Sequence, residues 1–539
     1  MAELHASDMK VAKKLLAEAA RSDSRPDPNL IHRFIELRLG IEGELGAERH
    51  QLVMGRRGTG KSTLLHVVKD RLTAEGVSVA TVDMETFNGR EYPDVLIEIL
   101  IELLGEIRPK VRRKNLIKRL LLLSQLFRVK KILNAALSDP QRLQHRVNVS
   151  KASRSGRNAG MNGSVAFKGQ GIRGGVSSGT ASARTHDAAG EYEELKIQRL
   201  QVLVPRISAL LRRMVEISDA KFALIFLDDF YFVTLAEQPL VLGYLHQVCK
   251  GTGVFLKIGG VGTRLRPFVD GDPPTGMQPG HDVSRLLLDV TLADFATAQQ
   301  FLEKMLEGVF QQFELKASQL FADEARNRMV LACGGAVARD YITLTAGALD
   351  QAVERMNKIG PVRDETPLRI FAVDVQSAMK KQMNLKEQES FGIDAVSEAA
   401  NLGNRWRDIC DFTSKTGDVF ILVPQADLDG SDWGNEVQQL ENLRLLHRIN
   451  DTTANSKRWT GVKMVVFMID LGQAANLRMQ VRIPEFWKST AEFEKLRRAE
   501  WVYTQDWTVR QSQARTSLGL KTPRKRKTKT LPRNSSTGF

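Results

Sequence analysis

The chain has 539 residues, 42% of them hydrophobic, and carries 78 Lys plus Arg against 63 Asp plus Glu, a formal balance of +15. Such a length holds about two to four packed domains, and the excess charge makes an acidic partner, nucleic acid or another anionic surface, a serious candidate. Three cysteines, Cys249, Cys333 and Cys410, have neither the number nor the spacing of a disulfide framework or a zinc site. Apolar runs such as 120–123 and 464–469 fall far short of the ~20 residues of a membrane span, and residues 1–10 lack a signal-peptide core. A cytoplasmic protein in a reducing compartment, with no membrane partner, is expected.

In chain order, residues 1–30 read as an N-terminal helical extension, and the first strong signal lies behind them. Residues 55–62 are G-R-R-G-T-G-K-S, an intact G-x-x-x-x-G-K-[ST] loop. It follows the apolar run QLVM and opens onto Thr63 and the helical text LLHVVKD, so it reads strand, loop, helix. Gly58 and Gly60 lack Cβ atoms, which lets successive backbone N–H groups curl around a β-phosphate at a helix N-terminus. Lys61 reaches the β- and γ-phosphates, and Ser62 offers a hydroxyl to Mg²⁺. With Gly55, Arg56, Arg57, Thr59 and Thr63 these residues form the expected ATP-binding set; Arg56 and Arg57 add positive charge and are expected at the surface. A second apolar run, VSVATVD at 77–83, ends in Asp83, which suits loop hydrogen bonding better than chemistry.

The charge excess comes next. Between 108 and 186 stand 18 basic residues against the single acid Asp139, more than the balance of the whole chain, so the rest of the molecule leans acidic. Over 108–137, Leu116, Leu120, Leu123, Phe127 and Ile132 recur at helical spacing between basic residues and predict a cationic amphipathic helix. From 150 to 185 the text is Gly, Ser and Arg, apart from a Ser-Val-Ala-Phe string within 163–168 that suits one short strand, and it reads as a mobile insertion. Non-specific, salt-sensitive phosphate contact is one expectation for it, although no aromatic stacking platform accompanies it.

At 222–230 the run F-A-L-I-F-L-D-D-F is an apolar strand ending in two acids. A phosphate loop needs a second site for metal and water. Asp228 is expected to help hold Mg²⁺, and Asp229 to act with Lys61 as the catalytic pair by polarising the attacking water. The bland alternative is a strand terminus that caps a helix. The run G-V-F-L-K-I-G-G at 253–260 reads as another buried parallel strand whose C-terminal end faces the nucleotide. Beyond it Thr263 or Arg264 can sense a γ-phosphate, while Lys257, Arg264 and Arg266 are equally suited to ion pairs or an oligomer contact.

Taken together, the phosphate loop, the strand ending in Asp83, the long insertion, Asp228-Asp229 and the strand leading to Arg264 resemble AAA+ ATPases of the origin-recognition-like and STAND groups, over about residues 25–385. The resemblance implies an α/β fold: a P-loop NTPase (AAA+-like) parallel sheet at 31–287, with the basic insertion at about 108–195. A helical lid at 288–390 and a winged-helix-like C-terminal domain at 391–510 would follow, and the composition of 511–539 reads as a disordered basic tail. In the lid, Gly334-Gly335-Ala-Val-Ala-Arg339-Asp340 is similar to the helix start that carries the family's second sensor arginine. By that match Arg339 reaches the γ-phosphate and couples nucleotide state to lid angle; a salt bridge to a neighbouring acid is an equally good fate for it.

Behind the lid, a helix at 395–412, a strand at 419–423, a helix at 435–447, a polar stretch at 450–457 and a strand at 462–470 are wing-like, with Arg444, Arg448, Lys457 and Arg458 as phosphate contacts. Winged helices also dock proteins, and Glu436 and Glu441 favour that alternative. The end of the chain, 505–539, has 9 basic residues against Asp506 and reads as a disordered polycation, either merely solvated or gripping phosphate. The Gly/Arg-rich insertion and the Asp-Asp pair depart from the replication-initiator pattern. The expectation is an ATP-driven switch with Mg²⁺, converting ATP to ADP and phosphate, that binds double-stranded DNA through insertion and tail and assembles as a homo-oligomer. The alternative is a STAND-like signalling or defence ATPase that recruits a protein partner at its C-terminal domain without DNA.

Overall fold

The structure, a computed structural model, describes residues 3–20, 34–106, 116–137, 179–218, 221–392, 399–477, 479, 482–505 and 507, with the backbone alone for 116, 179–193, 263, 384–385, 388–392 and 399–400. The predicted short strand within 163–168 and the basic tail at 511–539 lie outside these residues. The chain divides into two compact units, 1–379 and 380–539.

The first unit is built on strands β1 (Gln51–Met54), β2 (Ser78–Asp83), β3 (Ala223–Asp228) and β4 (Val254–Gly260), a small ladder of β5 (Phe268–Val269) with β6 (Thr275–Gly276), and β7 (Ser284–Leu287). Five of them form one parallel sheet in the order β2-β3-β4-β1-β7. Apolar runs such as ALIFLD suit strands buried on both faces. Successive residues of β3 serve opposite sides. Leu224 and Phe226 join Leu64, Leu65 and Val68 of the helix that follows the phosphate loop. Ile225 and Leu227 join a larger cluster on the other face.

The longer helices in chain order are α1 (Met9–Ala20), α2 (Lys61–Ala74), α3 (Asp94–Glu106), α4 (Leu116–Leu137), α5 (Gly179–Ile217) and α6 (Gln238–Cys249), then α7 (Phe295–Val309), α8 (Asp323–Cys333), α9 (Ala338–Asn357) and α10 (Ala372–Gly392). The larger cluster draws on α3, α4, α5 and α6 together. Two expectations for the insertion change here. In α4 the buried row is Leu122, Leu126, Val129, Leu133 and Ala136, whereas Leu120 and Phe127 of the predicted apolar row are 68% and 70% exposed, with Leu123 and Ile132 exposed beside them. The helix is apolar on two sides, so i, i+3, i+4 spacing alone does not tell which side meets the core. Residues 179–185, expected within the mobile segment, begin α5 instead.

Helices α7 to α9 form the lid layer, and α1 packs on α9: Ala12 and Leu16 are buried, Lys13 Nζ lies 2.8 Å from Asp350, and Leu368 N donates to Leu4 O at 2.7 Å. The division between the two units falls within α10.

The second unit runs α11 (Ala399–Thr416), β8 (Phe420–Pro424), α12 (Gln425–Gly430), α13 (Asp432–Asn442), β9 (Leu446–Thr453), β10 (Lys463–Ile469) and α14 (Leu471–Asn476). Its antiparallel sheet has the order β8-β10-β9. Helix, strand, two helices and a two-stranded ribbon are the succession of a winged helix, with 454–462 as the wing. The expected helix at 435–447 is shorter, ending at Asn442, because Arg444 adopts φ 63° and turns the chain into β9. The expected polar stretch from 450 is the outer half of β9, whose Asn450, Asp451, Thr452 and Thr453 pair with β10 at the sheet edge. Polar side chains are at home on an edge strand. Helix α13 crosses α12 so closely that a Cβ on Gly434 would stand 2.0 Å from Asp427 O. The three cysteines are buried and none is in a disulfide. Among the described residues no helix is long and apolar enough to cross a membrane.

Candidate nucleotide site

Parallel pairing brings the C-terminal ends of all five strands to one edge, where ligands of such sheets sit. There β1 runs into the glycine-lysine loop and β3 into Asp228-Asp229, with β4 between them. Gly58 and Gly60 adopt φ 86° and 89°, a region an L side chain enters only at a cost, and this curls the loop. Thr59 Oγ1 donates to Arg56 O at 2.8 Å and fixes the curl from inside. Lys61, the first residue of α2, is buried, and its Nζ donates to Gly55 O at 2.8 Å and Arg56 O at 3.0 Å. Burial holds the Lys61 ammonium below the usual lysine range, opposed by the charges of Asp229, Asp289 and Asp228.

The two distant motifs meet. Ser62 and Lys61 both lie close enough to the Asp228 carboxylate to favour its charged form. Burial nevertheless raises Asp228 above the usual carboxylate range. Asp229 is raised to about 6, by burial first and by the Asp228 charge second, with Lys61 and Arg57 pulling the other way. Its backbone stands at φ 51°, with its N–H donating to Asp228 Oδ1 at 3.0 Å. The left-handed region is one that Asp tolerates and that concentrates at functional turns. Asp83 pairs across the sheet with Asp228 and accepts from Glu85 N at 3.0 Å, a loop hydrogen bond.

Several candidates sit differently from expectation. Arg56 is buried rather than at the surface, because Asp289, two residues beyond β7, takes its Nε at 3.3 Å and Gly334 O takes its Nη1 at 3.0 Å. Among the described residues Lys257 makes no ion pair. It is wholly buried, donating to Ala47 O at 2.7 Å, Arg49 O at 2.9 Å and Gln51 Oε1 at 2.5 Å, and burial, then Arg49, lowers it to about 7. The Arg264 guanidinium stacks 5.2 Å from the Tyr231 ring, just past the acid pair. Gln238, fully buried, ties that region together through Val233 O at 2.9 Å, Arg264 O at 3.0 Å and Arg266 N at 2.6 Å. Arg339 opens α9, its backbone N–H donates to Gly58 O at 3.2 Å, and its charge reaches Lys61. Thr63 continues α2. In the winged-helix-like unit Arg444 is buried and so is not presented to a phosphate; Arg448 is partly exposed and pairs with Asp451 at 2.7 Å, and Lys457 and Arg458 stand exposed on the 454–462 connection.

Asp289 is the residue that sequence reasoning passed over. Its signal was the same as for Asp228, an apolar run ending in an acid where a parallel strand stops.

The donor set suits a magnesium-bound triphosphate. Magnesium is held by one or two protein oxygens plus substrate phosphates and water rather than by an all-protein cage. Ser62 and Asp228 supply such oxygens, and among the described residues no group of three His, Cys, Asp or Glu converges as a cage.

No protein-family model and no curated protein matches the chain. Solved structures do. The Orc1 protein of Aeropyrum pernix, solved in complex with DNA, is 14% identical, over 89% of this chain and 94% of that one, with a TM-score of 0.30. A Walker-type ATPase of Pyrococcus abyssi is 11% identical, over 85% and 99%, at 0.41, and Cdc6p of Pyrobaculum aerophilum 10%, over 85% and 96%, at 0.32. Likenesses this distant carry no argument of their own. The chain's own topology does: it is an α/β P-loop fold with a parallel five-stranded sheet, a helical lid and a winged-helix-like C-terminal unit.

Proposed function

We propose that the chain is an ATP-binding, ATP-hydrolysing AAA+-type switch associated with double-stranded DNA. The observation that carries the proposal is the convergence of Ser62 and Lys61, at the start of α2, on the acid pair Asp228-Asp229 at the end of β3, which brings the two halves of a phosphoryl-transfer site together. Bound Mg²⁺-ATP supplies the triphosphate and the metal charge that neutralises its β- and γ-oxygens. The chain's residues would do the rest: the loop N–H groups would orient the phosphates, Lys61 would donate to them, Ser62 and Asp228 would hold the metal, and Asp229 would take the proton of the attacking water at its carboxylate. The lid contact at Arg339 supports a reading in which nucleotide state sets the lid. Arg264 or Arg266, supplied by a neighbouring copy, would complete the site in a homo-oligomer.

Titration with a fluorescent ATP analogue tests the core reading, and an absence of Mg²⁺-dependent binding rejects it. The oligomer is tested by ATPase rate against protein concentration, where a flat rate per subunit counts against it. Filter binding of duplex DNA at two salt concentrations tests the partner, since phosphate contacts give a steep salt slope.

One observation favours a second reading, a STAND-like signalling or defence ATPase that recruits a protein. Helix α13, the candidate recognition helix, carries Asp432, Glu436 and Glu441 and no Lys or Arg. Negligible DNA binding at low salt would select it.

A further inference from the structure

Arg56 belongs to the phosphate loop, yet its side chain reaches the lid. The guanidinium is 3% exposed and spans three segments. Asp289 Oδ1 accepts from both Arg56 N at 2.9 Å and Arg56 Nε at 3.3 Å, and Gly334 O, in the turn that starts α9, accepts from Nη1 at 3.0 Å. Backbone bonds stitch the same segments: Leu288 N to Met54 O at 2.8 Å, Ala336 N to Val290 O at 2.9 Å and Arg339 N to Gly58 O at 3.2 Å. Asp289 is fixed to the sheet, so it anchors the bridge. The Arg56 carbonyl is held by Lys61 Nζ, the ammonium that phosphate oxygens would draw toward themselves. The Nη2 atom is buried and has no hydrogen-bond partner among the described residues. A buried charged donor left unsatisfied is costly, and it marks a group with room to take another acceptor.

We propose that Arg56, anchored on Asp289, is a positioning residue that transmits the conformation of the phosphate loop to the lid turn at 334–339, independently of the Arg339 side chain. The proposal rests on the ATP-binding reading of the loop. When Lys61 turns from the Arg56 carbonyl to a phosphate, the loop shifts at Arg56, Nη1 carries Gly334 and the start of α9 with it, and Nη2 takes up the new acceptor. A lysine cannot substitute, because one ammonium lacks the rigid fork that holds two acceptors at once.

Hydrogen exchange on the full chain tests this with wild type, Arg56→Ala, Arg56→Lys and Asp289→Asn, each with and without Mg²⁺ and a non-hydrolysed ATP analogue. Without nucleotide, Arg56→Ala is expected to speed exchange at 334–341 about tenfold, the loss of a charge-assisted hydrogen bond. Wild type gains nucleotide-dependent protection at 61–68 and at 334–341. Arg56→Ala and Arg56→Lys keep the first and lose the second, and Asp289→Asn, which retains an acceptor oxygen, falls between. Unchanged lid exchange in nucleotide-free Arg56→Ala, or full nucleotide-dependent lid protection in it, overturns the inference. If wild type gains no protection at 61–68, the ATP-binding reading fails, and the nucleotide-free comparison still decides the coupling. Should Arg56→Ala not fold, Asp289→Asn carries the same comparison: lid exchange equal to wild type there overturns the proposal.

Discussion

Asp229→Asn is expected to abolish hydrolysis and, without nucleotide, to leave a more stable protein. Burial and the Asp228 charge raise the Asp229 carboxyl from 3.8 to about 6 in the folded chain. A carboxyl raised by folding contributes stability that is complete below the unfolded pKa and is lost as pH rises through the folded one. Two units of displacement at 1.36 kcal/mol each give a deficit of about 3 kcal/mol at about pH 7.5. Near pH 5 the deficit is roughly half that, because the folded group has already taken its proton while the unfolded group is still ionised. Asn keeps the shape of the side chain and carries no charge, so it recovers the deficit. The first unit spans residues 1–379, and with an unfolding entropy of ~2.1 cal/mol/K per residue the gain corresponds to about 4 °C in Tm. Thermal unfolding of wild type and variant at about pH 7.5, 6 and 5 reads this directly. A variant no more stable than wild type at the highest pH, or an advantage that does not shrink toward the lowest, refutes the reasoning. In the same preparations ATP turnover should fall about 10²–10⁴-fold, and wild-type kcat/KM should decline on the acid side of pH 6 as Asp229 takes up its proton.

Lys61→Ala removes a charge-assisted donor to phosphate and should weaken Mg²⁺-ATP binding about 10–100-fold, measured by calorimetry. The double variant Lys457→Ala, Arg458→Ala should flatten the slope of log affinity for duplex DNA against log salt by about 1.8, the release expected for two phosphates; an unchanged slope means the wing does not touch the backbone. Gly434→Ala should lower the stability of the second unit by about 1–3 kcal/mol in urea, since its Cβ meets the α12 backbone, and a neutral result would show that the two helices separate easily.

The phosphate loop was legible because its chemistry demands fixed residues at fixed spacing, and the acid pair because a strand buried on both faces announces its end with the first charge. The fate of Arg56 was not legible. Its partners Asp289 and Gly334 lie 233 and 278 residues away, and no local pattern encodes a contact at that range. For α4 the period was right and the face wrong: Leu122 and Leu126 sit in the core while Leu120 and Phe127 face out, a choice made by α3 and α5 rather than by α4 itself. Strand β9 was missed because its outer half is polar, as an edge strand can be, and because the turn at Arg444 depends on a backbone angle that arginine seldom adopts.

The burial of α4 changes how the basic region can be cut. Leu122, Leu126, Val129, Leu133 and Ala136 belong to the same apolar cluster as Leu103 of α3 and Leu203 of α5, so excising 108–195 wholesale would tear out a buttress of the domain, and any loss of DNA affinity would report misfolding. A shortened chain that rejoins Leu137 to Gly179 spares both helices, and it removes residues 138–178, which hold most of the Gly/Arg-rich text.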